Sequence, residues 1–371
     1  MPGSTSIPAI SLFSGGGGLD LGLAAAGFDT RLAVEAEVNA IAVLKRAKEL
    51  RRRLPNGGMY LANCNIHHAD IALLSDSEAL RLSGLEAEEA VLLMGGPPCV
   101  TFSVAGKREG LNHDTGRLYR HFIRLVKAFR PQAFVFENVR GVFSTYDLDS
   151  STSAFQVIIS EFTRAGYSIT PQLVDAADYG VPQRRHRLLI LGNRGANHLE
   201  FPAPTHCDPR HLPFQNRAPW ATVRDAFYGL PEAVPLGAEP LLANHVSKRH
   251  RPSTVDSYRQ TEPGRRNLTL KRDRLLWDAP AKTVRAQGKL KNDNSGRKHS
   301  SHQSLHPDEP RQLTPRECAR LQTFPDWYPF PANLVNAYRI IGDAVPCDLA
   351  TAIGRSLKAQ LGLDSAHEVA G

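Results

Sequence analysis

Residues 7–28 read IPAISLFSGGGGLDLGLAAAGF. The apolar run from Ile7 suits a short buried strand, the glycines from Gly15 to Gly18 suit a turn, and the leucines and alanines beyond suit an amphipathic helix. The same rhythm recurs downstream. Residues 30–50, TRLAVEAEVNAIAVLKRAKEL, read as strand and helix, and 90–99, AVLLMGGPPC, as a strand ending in a proline turn. Residues 118–139, LYRHFIRLVKAFRPQAFVFENV, predict a helix stopped near Pro131 and then a buried strand. Residues 154–169 add a helix and 186–193, HRLLILGN, a strand. Such alternation predicts an α/β fold, a Rossmann-like, mostly parallel sheet with helices on both faces. Ligands of such sheets bind at the carboxyl ends of strands, where strand order reverses. The glycine turn and the proline–cysteine turn both fall at those ends.

After about residue 200 the rhythm breaks. Residues 201–220, FPAPTHCDPRHLPFQNRAPW, are rich in Pro, His and Asn, and 206–310 reads as a small irregular domain. That gives three expected segments: a catalytic domain over 1–205, the irregular domain over 206–310, and a return to the first over 311–371. Within the last, Thr314, Pro315 and Glu317 carry the pattern of a helix N-terminus with a capping box.

The chain has 371 residues, 42% hydrophobic and 22% charged, as in an ordinary soluble globular protein. No cationic leader precedes Ile7 and no run reaches the length of a membrane span, so neither a signal peptide nor a membrane partner is expected. The formal charge is +8, yet residues 244–300 alone hold 15 Lys/Arg against 5 Asp/Glu, a net of +10. The basicity is therefore local, which suits either a polyanionic partner or a solvated face. The five cysteines, Cys64, Cys99, Cys207, Cys318 and Cys347, form no CxxC pair. Neither a disulfide framework nor a metal site is expected, and a reducing cytoplasm is.

A glycine turn between strand and helix serves NAD, FAD and adenosyl cofactors alike. Glu35 closes the second strand, where a ribose diol is usually held. Asp70 follows the next strand and could take an adenine amino group, with Ile71 against the ring. Cys99 stands out because GGPPCVTFS, residues 95–103, frames it in a rigid turn, whereas a core cysteine needs no such frame.

Read in order, SLFSGGGGLDLGL, GGPPCVTFS, ENV at 137–139, DYGVPQRRHRLLILG at 178–192, RECARLQTFPD at 316–326 and IIGDAVP at 340–346 resemble the DNA cytosine-C5 methyltransferases. The resemblance covers nearly the whole chain outside roughly 206–275. It implies a cytosine flipped out of duplex DNA and S-adenosyl-L-methionine as cofactor, with S-adenosyl-L-homocysteine as product. Cys99 matches the nucleophile that adds to C6, Glu137 the acid at N3 and the exocyclic amine, and Arg187 the arginine at O2, with Arg185 toward the same site or a phosphate. The cofactor would meet Phe13, Ser14, Gly15, Gly16, Gly17, Gly18, Leu19, Glu35, Asp70, Ile71, Pro97, Leu118, Asp343 and Val345. Residues 100–116 match the loop that closes over the base. Ser103 and Lys107 in that loop, with Arg184, Lys271, Arg272 and Arg274, are expected on DNA, and 206–310 becomes the target recognition domain.

Two positions depart from the family pattern. DTGRLY at 114–119 lacks the usual Arg before Gly, and GDAVP has aspartate at 343 where asparagine is usual. A carboxylate there accepts only and brings charge. The resemblance further implies a monomer in the bacterial cytoplasm, near the nucleoid, with a cognate restriction endonuclease as possible partner. A tRNA cytosine methyltransferase on the same scaffold and a non-catalytic DNA-binding regulator are the alternatives; intact Cys99, Glu137 and Arg187 speak against the second.

Overall fold

The computed structural model describes residues 6–98, 118–144, 152–214, 216–286 and 303–364. Cys99, Ser103 and Lys107, the expected closing loop at 100–116 and the end of the basic segment from 287 to 300 lie outside the described residues. The chain divides into two compact units. The first comprises Met1–Val174, His186–Ala203 and Ala350–Gly371, the second Asp175–Arg185 and Pro204–Leu349.

The first unit is built on a seven-stranded sheet. In chain order the strands are β1 (Ile7–Leu12), β2 (Phe28–Glu35), β3 (Asn65–His68), β4 (Leu92–Gly95), β5 (Ala133–Asn138), β6 (Ser168–Asp175), a two-residue β7 (Gln183–Arg184) outside this sheet, and β8 (His186–Asn193). Their spatial order is β3-β2-β1-β4-β5-β8-β6. β1 to β5 pair parallel, and β8 returns antiparallel to β5. The chain winds outward from β1 to β3 and then starts again on the other side of β1 with β4. The carboxyl ends of β1 and β4 therefore flank the point where strand order reverses.

Helices α1 (Gly18–Ala25), α2 (Val38–Glu49), α3 (Asp76–Ser83), α4 (Leu118–Phe129) and α5 (Ala154–Arg164) alternate with the strands. Tyr119, Phe122, Ile123, Val126 and Phe129 recur at helical spacing, so α4 buries one continuous stripe. That stripe packs with Ile10, Leu12, Leu32, Val34, Leu93, Phe134 and Phe136 of the strands and with Phe162 of α5. Phe122 meets Phe136 edge-on at 5.2 Å and Phe134 stacks on Phe162 at 4.4 Å, contacts worth about 0.5–1.5 kcal/mol each beyond their burial. The alternate residues of the strands, Ala9, Ala33, Leu92, Met94, Ala133 and Val135, are also sealed from solvent, as a sheet covered on both faces requires. Arg130 ends α4 with φ 46, and Pro131 prevents its continuation.

The second unit has short pieces only: α6 (Val223–Phe227), α7 (Pro252–Arg259), α8 (Pro315–Leu321), α9 (Leu334–Asp343) and two-stranded pairings such as β7 with Ala281–Lys282. The capping box expected at Thr314 is present, its hydroxyl accepting the Glu317 N–H. Buried polar side chains take much of the role that apolar packing has in the first unit. Gln183 donates to the Leu321 carbonyl and the Gln322 side chain, each at 3.0 Å, and Gln322 donates to the Ile341 carbonyl at 2.7 Å.

Candidate active site

At the end of β1 the chain leaves Leu12 through Phe13, whose φ of 54 is uncommon for a residue with a side chain. Gly15 and Gly17 follow at φ 52 and 76, conformations that glycine adopts without strain, and Gly17 caps α1. The Gly17 N–H donates to the Ser14 carbonyl at 2.9 Å, and the Ser11 and Ser14 hydroxyls share a hydrogen bond of 2.8 Å. Gly16, Gly18 and Leu19 are buried. Glu35 ends β2 beside this turn. Its carboxylate accepts the N–H groups of Gly15, Ala36 and Glu37, each at 2.8 Å, so the acid and the turn are one rigid body.

After β3, Asp70 is exposed and its carboxylate accepts the Ala72 N–H at 2.9 Å, while Ile71 is buried. Arg124 of α4 ties this loop down. It donates to the carbonyls of Ile71 (3.0 Å) and Leu74 (2.8 Å) and pairs with Asp76. Leu118 opens α4, half-buried against the core, and Pro97 is buried after β4. The residues fit a cationic adenosyl cofactor. They offer a turn open to close backbone approach, an acid at the end of β2 with one acceptor position left, and a second acid within α1.

That second acid is Asp20, which sequence reasoning passes over; its signal was a lone charge in an apolar run. It is completely buried, with the Ser11 hydroxyl and its own backbone N–H as the donors acting on its carboxyl. Burial raises its pKa from an ordinary 3.8 to about 7, opposed by the neighbouring Ser11 hydroxyl and reinforced by Glu35. Stability from the protonated form is complete below the unfolded value and lost as pH rises through about 7. Asp20→Asn is therefore expected to raise the melting temperature at pH 8 and leave it nearly unchanged near pH 4. The gain is at most on the order of a few kcal/mol. Equal shifts at both pH values in thermal melts would refute this linkage.

On the other side of the switch point stand Glu137 and Arg187. Antiparallel pairing sets Glu137 of β5 opposite Leu189 and Asn138 opposite Leu188, so the start of β8 lies at the end of β5. Arg187 Nε reaches Glu137 Oε1 at 2.7 Å, with each side chain only 12% exposed. Gly96, just past β4, closes the third side: a Cβ there would land on the Glu137 carboxylate. The structure thus brings together two residues expected to act on one base.

In the second unit three arginines require correction. Arg185, expected toward the base or a phosphate, is completely buried and donates to the carbonyls of Val284 (3.0 Å), Gly342 (2.7 Å) and Ala344 (2.9 Å). Arg274 is buried and donates to the carbonyls of Pro307, Tyr258, Thr261 and Asp308 at 2.6–3.0 Å. Arg272 is buried too, with Nη1 3.4 Å from the Gln303 carbonyl. A unit with few long elements leaves many carbonyls without ladder partners, and a five-donor guanidinium satisfies several at once. Lys271 is exposed, with φ 52. Arg184 is half-exposed, paired with Asp175 and placed 4.3 Å over the Trp220 ring. Asp343 is exposed at the end of α9 and Val345 is buried.

Cys64, Cys207, Cys318 and Cys347 are free and buried. Burial holds the thiols of Cys64, Cys318 and Cys347 well above the usual range, so these three are poor sources of thiolate. Among the described residues no cluster of His, Cys, Asp or Glu could hold a metal ion, and no helix is long and apolar enough to cross a membrane.

Sheet order, switch-point turn and the acid ending β2 together define a Rossmann-like methyltransferase fold. Residues 7–359 match the sequence model of the C-5 cytosine-specific DNA methylases, and the chain belongs to that family. It is 30% identical over 369 residues to the Type II methyltransferase M.FnuDI of Fusobacterium nucleatum, covering 95% of this chain and 94% of that one. It is also 30% identical over 370 residues to M.NgoPII of Neisseria gonorrhoeae, covering 95% of each. A solved prophage-encoded candidate DNA modification methyltransferase of E. coli superposes with TM-score 0.73 at 24% identity, over 96% of this chain and all of that one. S. pombe Dnmt2 gives 0.62 at 14%, over 96% and 99%. The protein is a DNA (cytosine-5-)-methyltransferase.

Proposed function

We propose that this enzyme methylates C5 of a cytosine flipped out of a specific duplex sequence, with S-adenosyl-L-methionine as donor. The Glu137–Arg187 pair, set at the switch point and closed by Gly96, carries the reading. Cytosine C5 is a poor nucleophile and must be activated through C6 and N3. In this reading the Cys99 thiolate forms a bond to C6, and the electrons of the C5–C6 double bond become available at C5. Glu137, protonated, donates to N3 and accepts from the exocyclic amine, while Arg187 steadies both Glu137 and O2. When bound, S-adenosyl-L-methionine supplies an electrophilic methyl group. Loss of the C5 proton to a base then re-forms the double bond and expels the Cys99 thiolate. The cradle of Phe13 to Leu19, with Glu35, Asp70 and Ile71, would hold the cofactor. Arg185 acts as a positioning residue, fixing the carbonyls on either side of Asp343.

The similarity to Type II methyltransferases supports a modification enzyme that acts beside a cognate endonuclease. Bisulfite sequencing of DNA from cells expressing the protein should reveal one fully methylated motif, absent with Cys99→Ser. Conversion-resistant cytosines in tRNA and none in DNA would turn the assignment to the RNA alternative.

Within the second unit, exposed Lys248, Arg249, Arg251, Arg265 and Lys271 suit phosphate contacts, whereas Arg274 does not. Lys271→Ala is expected to reduce the slope of log affinity against log salt by up to about 0.9. Arg274→Ala should destabilise the fold by about 2–5 kcal/mol, because four carbonyls lose their donor. Salt titrations and denaturant melts of both variants check the pair; the opposite pattern would place DNA on Arg274.

A further inference from the structure

We propose that the first unit carries a second face for DNA, formed by Lys45, Arg51 and Arg52 at the end of the sheet opposite the glycine turn. This face holds a duplex segment other than the one being methylated. The inference goes beyond the reading above and uses none of its catalytic residues. It starts from residues 45–53, KRAKELRRR, which hold six cations and one acid.

Packing fixes where this run lies. α2 starts just past Glu35 and runs back along the sheet, so its last turn and the segment after it reach the amino ends of the strands. Three hydrogen bonds hold them there. Lys48 Nζ donates to the Cys64 carbonyl just before β3 (2.6 Å), Asn63 to Asp29 near the start of β2 (2.9 Å), and Asn56 to the Ala24 carbonyl in the last turn of α1 (2.7 Å). The eight residues of β2 separate this end from Glu35 by about 23 Å. Residues 52–60 fold back on themselves: the Tyr60 N–H donates to the Arg52 carbonyl at 3.0 Å and the Leu54 N–H to the Gly58 carbonyl at 2.7 Å. The arginines therefore stand on a fixed turn.

The fold uses some of these cations and leaves others. Arg46 pairs with Glu49 at 3.1 Å, Lys48 is taken by the Cys64 carbonyl, and Arg53 by the Gly57 carbonyl at 3.1 Å. Two further acids of this end are engaged as well: Asp29 by Asn63, and Asp364 by Lys358, whose stem lies beside Gly27. Lys45, Arg51 and Arg52 are exposed, and among the described residues their side chains meet no carboxylate. Cations near a helix C-terminus are favourable in themselves, and Arg46 and Lys48 already supply that. Arg51 is different. It follows the C-cap Leu50 at φ 47, the left-handed position where helices usually end in glycine. A side chain there is strained, so the helix end by itself favours glycine, and the guanidinium serves a partner. Three cations without counterions repel one another, and a polyanion relieves that. Guanidinium forks match phosphate oxygens two at a time. DNA, on which this family acts, presents phosphates in a continuous row. A contact blind to sequence and remote from the reacting base lets the enzyme keep one segment while it tests another.

The test uses the full chain saturated with a short unlabelled duplex carrying its methylation motif, then titrated with a fluorescent duplex that lacks the motif. The wild type is expected to take up the second duplex, with log affinity falling against log salt. In the triple variant Lys45→Gln, Arg51→Gln, Arg52→Gln that uptake should weaken at least about tenfold at low salt, with the slope lower by up to about 2.7. The single-turnover methylation rate on the short duplex should stay unchanged. Arg51→Gly separates a partner from a structural role, because it should raise the melting temperature and still weaken the second duplex. A saturated wild type that takes no second duplex overturns the proposal. So does equal uptake by the wild type and the triple variant, which places the contact elsewhere. Polyglutamate bound at this face in place of the duplex assigns it to an acidic protein and overturns the proposal too. Slower methylation of the short duplex by the triple variant ties these residues to the reaction, again against it. Should the triple variant fail to fold, Arg52→Gln alone decides, with a slope expected to fall by up to about 0.9.

Discussion

Replacing Cys99 with serine is expected to abolish methyl transfer, by at least about 10³-fold, while DNA affinity stays within a few-fold. A thiol is a few per cent ionised at neutral pH and intrinsically nucleophilic, whereas a serine hydroxyl needs a base to act at all. Only one atom changes, so the surface offered to DNA is preserved. Turnover of the serine variant within tenfold of the parent would remove Cys99 from the chemistry. DNA carrying 5-fluorocytosine gives an independent check, because the fluorine blocks proton loss at C5 and the C6–sulfur bond persists. The adduct should map to Cys99 by mass spectrometry. The other cysteines, Cys64, Cys207, Cys318 and Cys347, are buried, and an adduct on any of them would overturn the assignment.

Glu137→Gln is expected to lower kcat by about 10²–10⁴ with little change in DNA affinity. The amide is nearly isosteric and can still donate to N3, yet it has no acidic proton to give as charge develops on the ring. It also leaves Arg187, only 12% exposed, without its carboxylate at 2.7 Å. Gly96→Ala should reproduce part of this loss, since its Cβ would displace the same carboxylate. Arg187→Lys keeps the charge but loses the planar fork, and an intermediate effect is expected. Single-turnover rates separate these from binding defects; a Glu137→Gln rate within tenfold of the parent would exclude its acid role.

Much of the first unit was legible because burial on both faces forces near-continuous apolar runs, and these stand out in AISL, LLM and FVF. α4 was legible through its stripe and its stop at Pro131. The arginines were not. QRRHR places Arg184, Arg185 and Arg187 within five residues, and charge alone assigns all of them to ligand. Folding separates them: Arg185 turns inward to three carbonyls, Arg184 lies over Trp220, and Arg187 reaches Glu137. Arg272 and Arg274 likewise follow the needs of irregular backbone, which no periodicity records.

The sequence by itself determined the sheet's strands and the glycine turn on the rim, and through its resemblance to the cytosine-C5 methyltransferases it suggested the roles proposed for Cys99, Glu137 and Arg187. Those depend on local propensity and on reaction chemistry, which are properties of residues and short segments. Only the tertiary structure decided which charges meet. β8 returns antiparallel to β5 and so delivers Arg187 to Glu137 from a distant part of the chain. It also decided which charges are buried: Asp20, one residue in an apolar run, is sealed from water in the first turn of α1. Pairing and desolvation arise when separate elements pack, and no single segment contains them.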